Sequence, residues 1–169
     1  MKLIDKKKLR TFYLKLIKDE ISPEITAKSA AIGLFCGFFI PIGLQIPFTL
    51  LLAFAFRARK IISLIFTLPT NIYTVWLIYP VQCWVGGKLL RLKLSFPFLL
   101  KTFREILKNF SISDFLELSS EIIIAFFAGG LLFGVISAVI GYFTVYGMVV
   151  SYRQRRKKKL ADKIFNKHS

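Results

Sequence analysis

The chain has 169 residues, 55% of them hydrophobic and 15% aromatic, with a mean hydropathy of +0.60. One domain of this size cannot hide so much apolar surface in a core, so the composition excludes an ordinary soluble domain. The formal charge of +16 crowds at the two ends, where it flanks apolar runs; the positive-inside rule and anionic lipid headgroups account for it, and nucleic acid is not required.

Residues 1–21 open the chain. Leu9, Phe12, Tyr13, Leu16 and Ile17 recur at helical spacing, while Lys8, Arg10, Lys15 and Lys18 lie mostly around the other side. This pattern predicts a short basic amphipathic helix, lying on a lipid surface or packed on the protein's own loops. The charged stretch and the apolar run that follows are both too long for a cleavable signal peptide, and no small-x-small site follows.

The sequence Ser22-Pro23-Glu24 starts the next helix. The serine caps free N–H groups, the proline suits the first helical position, and the acid suits the positive end of the dipole. That helix is expected to run from residue 23 to about 40. It lies in the first of three uncharged runs, 29–56, 61–87 and 122–150. Each exceeds the roughly 20 residues that cross a hydrocarbon core.

The first run carries Pro41, Gly43, Gln45 and Pro47 near its middle. Proline has no N–H to give and clashes with the preceding turn, so the helix is expected to break at 41–47 and resume over 47–56. Arg57, Arg59 and Lys60 close this unit. The second run has a similar plan, with a polar break at 69–74 that holds Thr70, Asn71, Tyr73 and Thr74. Residues 22–90 thus read as a membrane core of two broken runs. Tyr73, Trp76, Tyr79 and Trp84 fit interfacial anchors.

Residues 91–121 change character. Phe96, Leu99, Leu100, Phe103, Ile106, Leu107 and Phe110 mark one helical face, with Lys101, Arg104, Glu105 and Lys108 opposite. This is a second interfacial helix or one docked on the spans, followed by a polar linker. Residues 122–150 form the last expected span, with Gly130 and Gly134 in a G-x-x-x-G spacing that permits close packing. A basic cytoplasmic tail, 151–169, follows. Cys36 and Cys83 lie inside apolar runs without nearby ligand partners, so they are expected to pack as small apolar side chains, with no disulfide and no metal.

The expected fold class is therefore an all-α integral membrane protein with re-entrant or Pro-broken helices plus interfacial amphipathic helices. Basic termini on one side require an even number of crossings. A re-entrant hairpin over 29–56, an outward pass over 61–87 and a return over 122–150 meet that condition, at the cost of leaving the lysines of 88–108 outside.

Broken backbone in hydrocarbon must be satisfied by protein, trapped water or a ligand. A half-helix N-terminus favours an anion, glycine lets a ligand approach, and guanidinium matches phosphate. Pro41, Gly43, Gln45, Thr49, Arg57, Arg59, Thr70, Asn71, Tyr73 and Thr74 are the candidate ligand-binding residues. On the alternative reading Pro41 and Pro47 only shape a kink, Gln45 and Asn71 only satisfy backbone, and the arginines only set topology.

The segment SPEITAKSAAIGLFCGFFIPIGLQIPFTLLLAFAFRARK resembles the opening of a bacterial membrane family catalogued as domain of unknown function 2062. The likeness rests on Ser22-Pro23, Gly33, Gly37, Pro41, Gly43, Gln45 and Arg57, then on Asn71, Tyr79 and Gly86. Ile72 stands where the family usually has proline, and Ala58-Arg59-Lys60 departs from its usual pattern. The resemblance implies a small multi-pass protein of the bacterial inner membrane, with relatives sometimes joined to a glycosyltransferase that uses lipid-linked sugars. The re-entrant plan also looks like families linked to polyprenyl-phosphate movement.

The expected function is binding or translocation of an anionic lipid headgroup, polyprenyl-phosphate-like, at the broken helices, with anionic lipids as partners and a homodimer to enclose the site. The alternative is a non-transporting anchor or scaffold for a glycosyltransferase or other envelope enzyme. No catalytic constellation lies in the apolar runs and all nine acids lie outside them, so an enzyme is not expected, nor a cofactor.

Overall fold

The computed structural model describes residues 22–70, 74–108 and 118–165, with backbone alone for 106–108 and 157–165. Six helices make up the described residues, with no strand among them. They are α1 (Pro23–Phe39), α2 (Gln45–Ala55), α3 (Lys60–Phe66), α4 (Val75–Leu89), α5 (Phe96–Lys108) and α6 (Ser120–Phe165). The chain is all-α.

The start of α1 follows its sequence signals. Ser22 Oγ accepts the Ile25 N–H at 3.2 Å, and Pro23 opens the helix with Glu24 in its first turn. Its end follows from Pro41. A residue before proline is driven out of the α region, and Ile40 sits extended at φ −100, ψ 132. The chain then reverses in a turn over 41–44, closed by the Leu44 N–H on Pro41 O at 3.2 Å. Gly43 takes φ 96 in this turn, a left-handed value that side chains resist.

Helix α2 begins at Gln45, two residues before the start expected at Pro47. Pro47 falls in its first turn, where a missing N–H costs no helical bond. The break is therefore shorter than the proline spacing suggested.

Helices α2 and α4 both stop on an arginine in the left-handed region, Arg57 at φ 52 and Arg91 at φ 59. Ala58 N–H closes on Ala53 O at 2.7 Å, and Leu92 N–H closes on Gly87 O at 2.8 Å. These are the six-residue closures usually built on glycine.

The helices run back and forth between two ends. Gln45 lies beside Gly37 and Ile40 of α1, whereas the Arg59 N–H donates to Ser29 Oγ at 2.8 Å, so α2 is antiparallel to α1. Helix α3 returns beside α1. A Cβ placed on Gly33 would strike Ser63 O, and one on Gly37 would fall 2.8 Å from Thr70 Oγ1.

Helix α6 is antiparallel to α1. Phe38 O faces Gly130, Phe35 faces Gly134, Leu34 faces Gly141, and Ala27 and Ala30 pack with Val145 and Val149. Lys28, Arg57, Arg59, Lys60 and the arginines of 153–156 thus gather at one end.

At the other end α4 and α5 cover the first turns of α6. Val75, Tyr79, Cys83, Leu99, Phe103, Ile122 and Phe126 form one buried cluster. The Tyr79 ring meets Phe126 edge-on at 4.8 Å and Phe103 at 5.7 Å. Of the two settings expected for α5, this is the docked one.

Of the three uncharged runs, only the last forms a helix long and apolar enough to cross a membrane, among the described residues. That helix extends well past residue 150. Its backbone continues through the basic residues to Phe165, 46 residues in all, about 69 Å at 1.5 Å per residue. The other two runs hold shorter helices: α1 and α2 are parted by 40–44, α3 ends at Phe66 and α4 starts at Val75.

The tightest crossing lies between α4 and α6. A Cβ on Gly86 would strike Ala125 O and sit 2.6 Å from Gly129 N. Gly86→Ala is expected to force the helices apart and cost about 1–3 kcal/mol, read as a lowered Tm in detergent. Arg91→Gly relieves a left-handed side chain and is expected to raise stability by about 1 kcal/mol in the same assay.

Candidate functional site

The break between α1 and α2 is where polar groups meet inside an apolar molecule. The end of α1 leaves carbonyls without helical partners. Gln45 Nε2 approaches two of these, Gly37 O at 2.8 Å and Ile40 O at 3.0 Å. Its third neighbour is Thr70 Oγ1 at 3.3 Å. An amide nitrogen has two protons, so the two short carbonyl bonds take precedence and the hydroxyl is the lesser acceptor. Thr70 in turn donates to Thr67 O at 3.0 Å. On the far side of the turn, the Ile42 N–H donates to Tyr79 Oη at 2.8 Å.

The two sequence breaks therefore converge. Gln45 from the first and Thr70 from the second are both buried and in contact. Thr49, one turn on from Gln45, is fully buried with its hydroxyl beside the Cys36 thiol. Pro41 is half-buried and Gly43 exposed on the turn itself. Thr74 is exposed, its hydroxyl donating to Pro69 O at 2.7 Å. Asn71 and Tyr73 lie outside the described residues.

Arg57 and Arg59 do not join this group. Both are exposed and lie past the opposite end of α2, which at 11 residues spans about 16 Å. They stand instead with Lys60, whose Nζ lies 5.4 Å from the Phe54 ring centre. The candidate residues thus divide into a buried polar knot at the turn and an exposed basic group at the other end.

The donors of the knot point at backbone. Gln45, expected either to meet a ligand or to satisfy the chain, satisfies the chain. Tyr79, placed by its sequence among the interfacial anchors, is 2% exposed and closes the turn from α4. Nothing local in the sequence links Tyr79 to Ile42. A second residue not singled out is Gln82, 1% exposed, which donates to Phe126 O of α6 at 3.0 Å. A lone amide in an uncharged run is a signal that could have flagged it, since burial obliges it to find a partner. Ser29 is a third such residue: it donates to Ile25 O at 2.6 Å and accepts from the Arg59 N–H.

Residues 6–158 match the family described as "Uncharacterized protein conserved in bacteria (DUF2062)". The chain belongs to this family. The resemblance carried by residues 22–86 therefore extends over nearly all of the chain. None of the curated proteins and none of the solved structures matches the chain.

Removing the Gln45 amide leaves Gly37 O and Ile40 O buried without a donor. Gln45→Ala is expected to lower stability by about 2–4 kcal/mol, and Tyr79→Phe by about 1–2 kcal/mol. Thermal unfolding of the purified protein without any ligand checks this; an unchanged Tm for Gln45→Ala would mean that the amide has no structural task.

Proposed function

We propose that this family member is an integral protein of the bacterial inner membrane, with both termini cytoplasmic, that holds an anionic lipid headgroup of the polyprenyl-phosphate kind. The observation that carries the reading is an apolar surface bounded at one end by exposed arginines. Phe54 is 72% exposed, Ile61 70%, Phe143 68%, Leu51 62% and Ile140 61%. They lie on α2, α3 and α6, in stretches without a charge. A surface of that extent is disfavoured in water and suited to lipid.

The path of the chain supports the orientation. Helix α1 begins, and the apolar part of α6 ends, at the end that carries Lys28, Arg57, Arg59 and Lys60. One set of basic residues then faces the cytoplasmic leaflet, as the positive-inside rule asks.

In this reading the headgroup meets the exposed guanidinium groups of Arg57 and Arg59. The knot at Gln45 and Thr70 keeps α2 in place, which fixes where those arginines stand. The phosphate contact is thereby assigned to the basic end of α2, away from the turn. Each charge near an anionic surface contributes about 1 kcal/mol.

Purified protein in zwitterionic liposomes doped with a labelled polyprenyl phosphate tests the reading. The double variant Arg57→Gln, Arg59→Gln is expected to bind the label about thirtyfold more weakly. Equal binding by both proteins, or release of the wild type from membranes by alkaline carbonate, would overturn it.

A further inference from the structure

The cations of residues 88–104 gather at the end of the molecule away from Arg57 and Arg59. Lys88, Arg91, Lys93, Lys101 and Arg104 are all exposed, and the described carboxylates of that end are Glu105 and Glu121. Helices α4 and α5 form an antiparallel pair there, with Trp84 beside Phe96 and Tyr79 beside Phe103. Leu99 and Phe103 turn inward, so Lys101 and Arg104 lie on the outer side of α5.

The corner between the two helices repeats the chain geometry found at Arg57. Arg91 closes α4 at φ 59, as Arg57 closes α2 at φ 52. Each is followed two residues on by a second cation, Lys93 in one case and Arg59 in the other. Glycine makes the same closure without steric cost, so both positions keep a long side chain against the preference of the backbone. Strain of this kind gathers at binding sites, where the side chain has a task.

The surroundings of these cations name the partner. Lys88 Nζ lies 5.9 Å from the Trp84 ring centre, within reach of the attraction between an ammonium and a ring face. Trp84 is 39% exposed, Leu90 42%, Phe98 54% and Leu89 63%. Cations beside wide apolar side chains suit the boundary between headgroups and acyl chains, where lysine and arginine reach outward and tryptophan sits half in oil. A soluble anion would meet the cations and leave the apolar side chains in water.

The level along α6 agrees. Gly86 lies against Ala125, and Gly87 against Leu94, so the corner stands at the height of Ala125. The Arg59 N–H is bonded to Ser29, and the neighbouring Ala30 packs with Val145 and Val149. Between Ala125 and Val149 helix α6 rises about 36 Å at 1.5 Å per residue. That length falls between the roughly 30 Å of a hydrocarbon core and the roughly 40–45 Å reached with its headgroups.

We propose that the α4–α5 corner is a second phosphate contact, where Lys88, Arg91 and Lys93 hold headgroups of anionic lipid in the leaflet opposite to the one met by Arg57 and Arg59. The contact presupposes the membrane placement proposed above, but not the identity of the lipid held at Arg57 and Arg59. It gives a partner to cations that the positive-inside rule disfavours on the outer side.

Tryptophan quenching tests it. The chain has two tryptophans, so Trp76→Phe leaves Trp84 as the sole indole, at the corner itself. This protein is reconstituted in phosphatidylcholine vesicles that contain a minor share of brominated phosphatidylglycerol or, in parallel, of brominated phosphatidylcholine. The phosphatidylglycerol is expected to quench Trp84 more strongly. That preference, as a ratio of binding constants, is expected to fall about fivefold in Arg91→Gly and about thirtyfold in Arg91→Gly with Lys93→Gln. Arg91→Gly relaxes the helix closure, so an unchanged or raised Tm beside a lost preference excludes misfolding. Arg57→Gln with Arg59→Gln is expected to leave the preference at Trp84 as it was.

Equal quenching by the two brominated lipids would overturn the proposal and leave the membrane placement standing. So would a preference that survives Arg91→Gly with Lys93→Gln. A preference abolished by millimolar inorganic phosphate at constant ionic strength would assign the corner to a soluble anion and overturn it as well. Quenching by neither lipid would put Trp84 outside the membrane and overturn the placement together with the contact.

Discussion

An α-helix that stops inside an apolar surrounding leaves carbonyls that water cannot reach, and this molecule depends on how those carbonyls are met. Gln45 reaches back across the turn to two of them, and Thr70 lies against its amide. From that contact follow the reversal of the chain, the antiparallel setting of α2 and the return of α3. Tyr79 adds a tie from α4 to the same turn, so α4 is joined to the α1–α2 hairpin through one small polar knot. The side chains involved are neutral, which keeps the cost of burial within what a few hydrogen bonds can offset.

Close packing supplies the remainder of the cohesion. Helix α6 is approached by α1 and α4 at positions without side chains, Gly130 and Gly134 on one flank and Gly129 against Gly86 on the other. Such backbone proximity brings many atoms into van der Waals contact at once. The aromatic rings of Tyr79, Phe103 and Phe126 then fill the space where α4, α5 and α6 meet.

Much of this was readable in the residues. The cap at Ser22, the stop before Pro41, the amphipathic face that brings Leu99 and Phe103 inward and the helical character of the described residues follow from local rules of spacing and backbone freedom. The two breaks share a plan in the sequence, but that plan says nothing of their meeting, and it is the Gln45–Thr70 contact that brings them together. What local rules could not supply was direction. An amide can turn outward to a ligand or inward to a carbonyl, and only the relative position of residues far apart in the chain decides. The same holds for Tyr79, whose partner lies 37 positions away, and for Arg57 and Arg59, which a linear reading grouped with Gln45 although a whole helix separates them. Boundaries drifted where proline was tolerated: α2 begins before Pro47, and α4 continues through Pro80.

The sequence order of the α1, α2 and α3 contacts has a consequence for biosynthesis. The bonds that join these three helices all lie within residues 22–70, so they can form while the rest of the chain is still on the ribosome. The face of α1 that bears Ala27 and Ala30 has a different schedule, because its partners Val145 and Val149 are translated near the end. Until α6 emerges, that alanine face stays uncovered beside a finished hairpin.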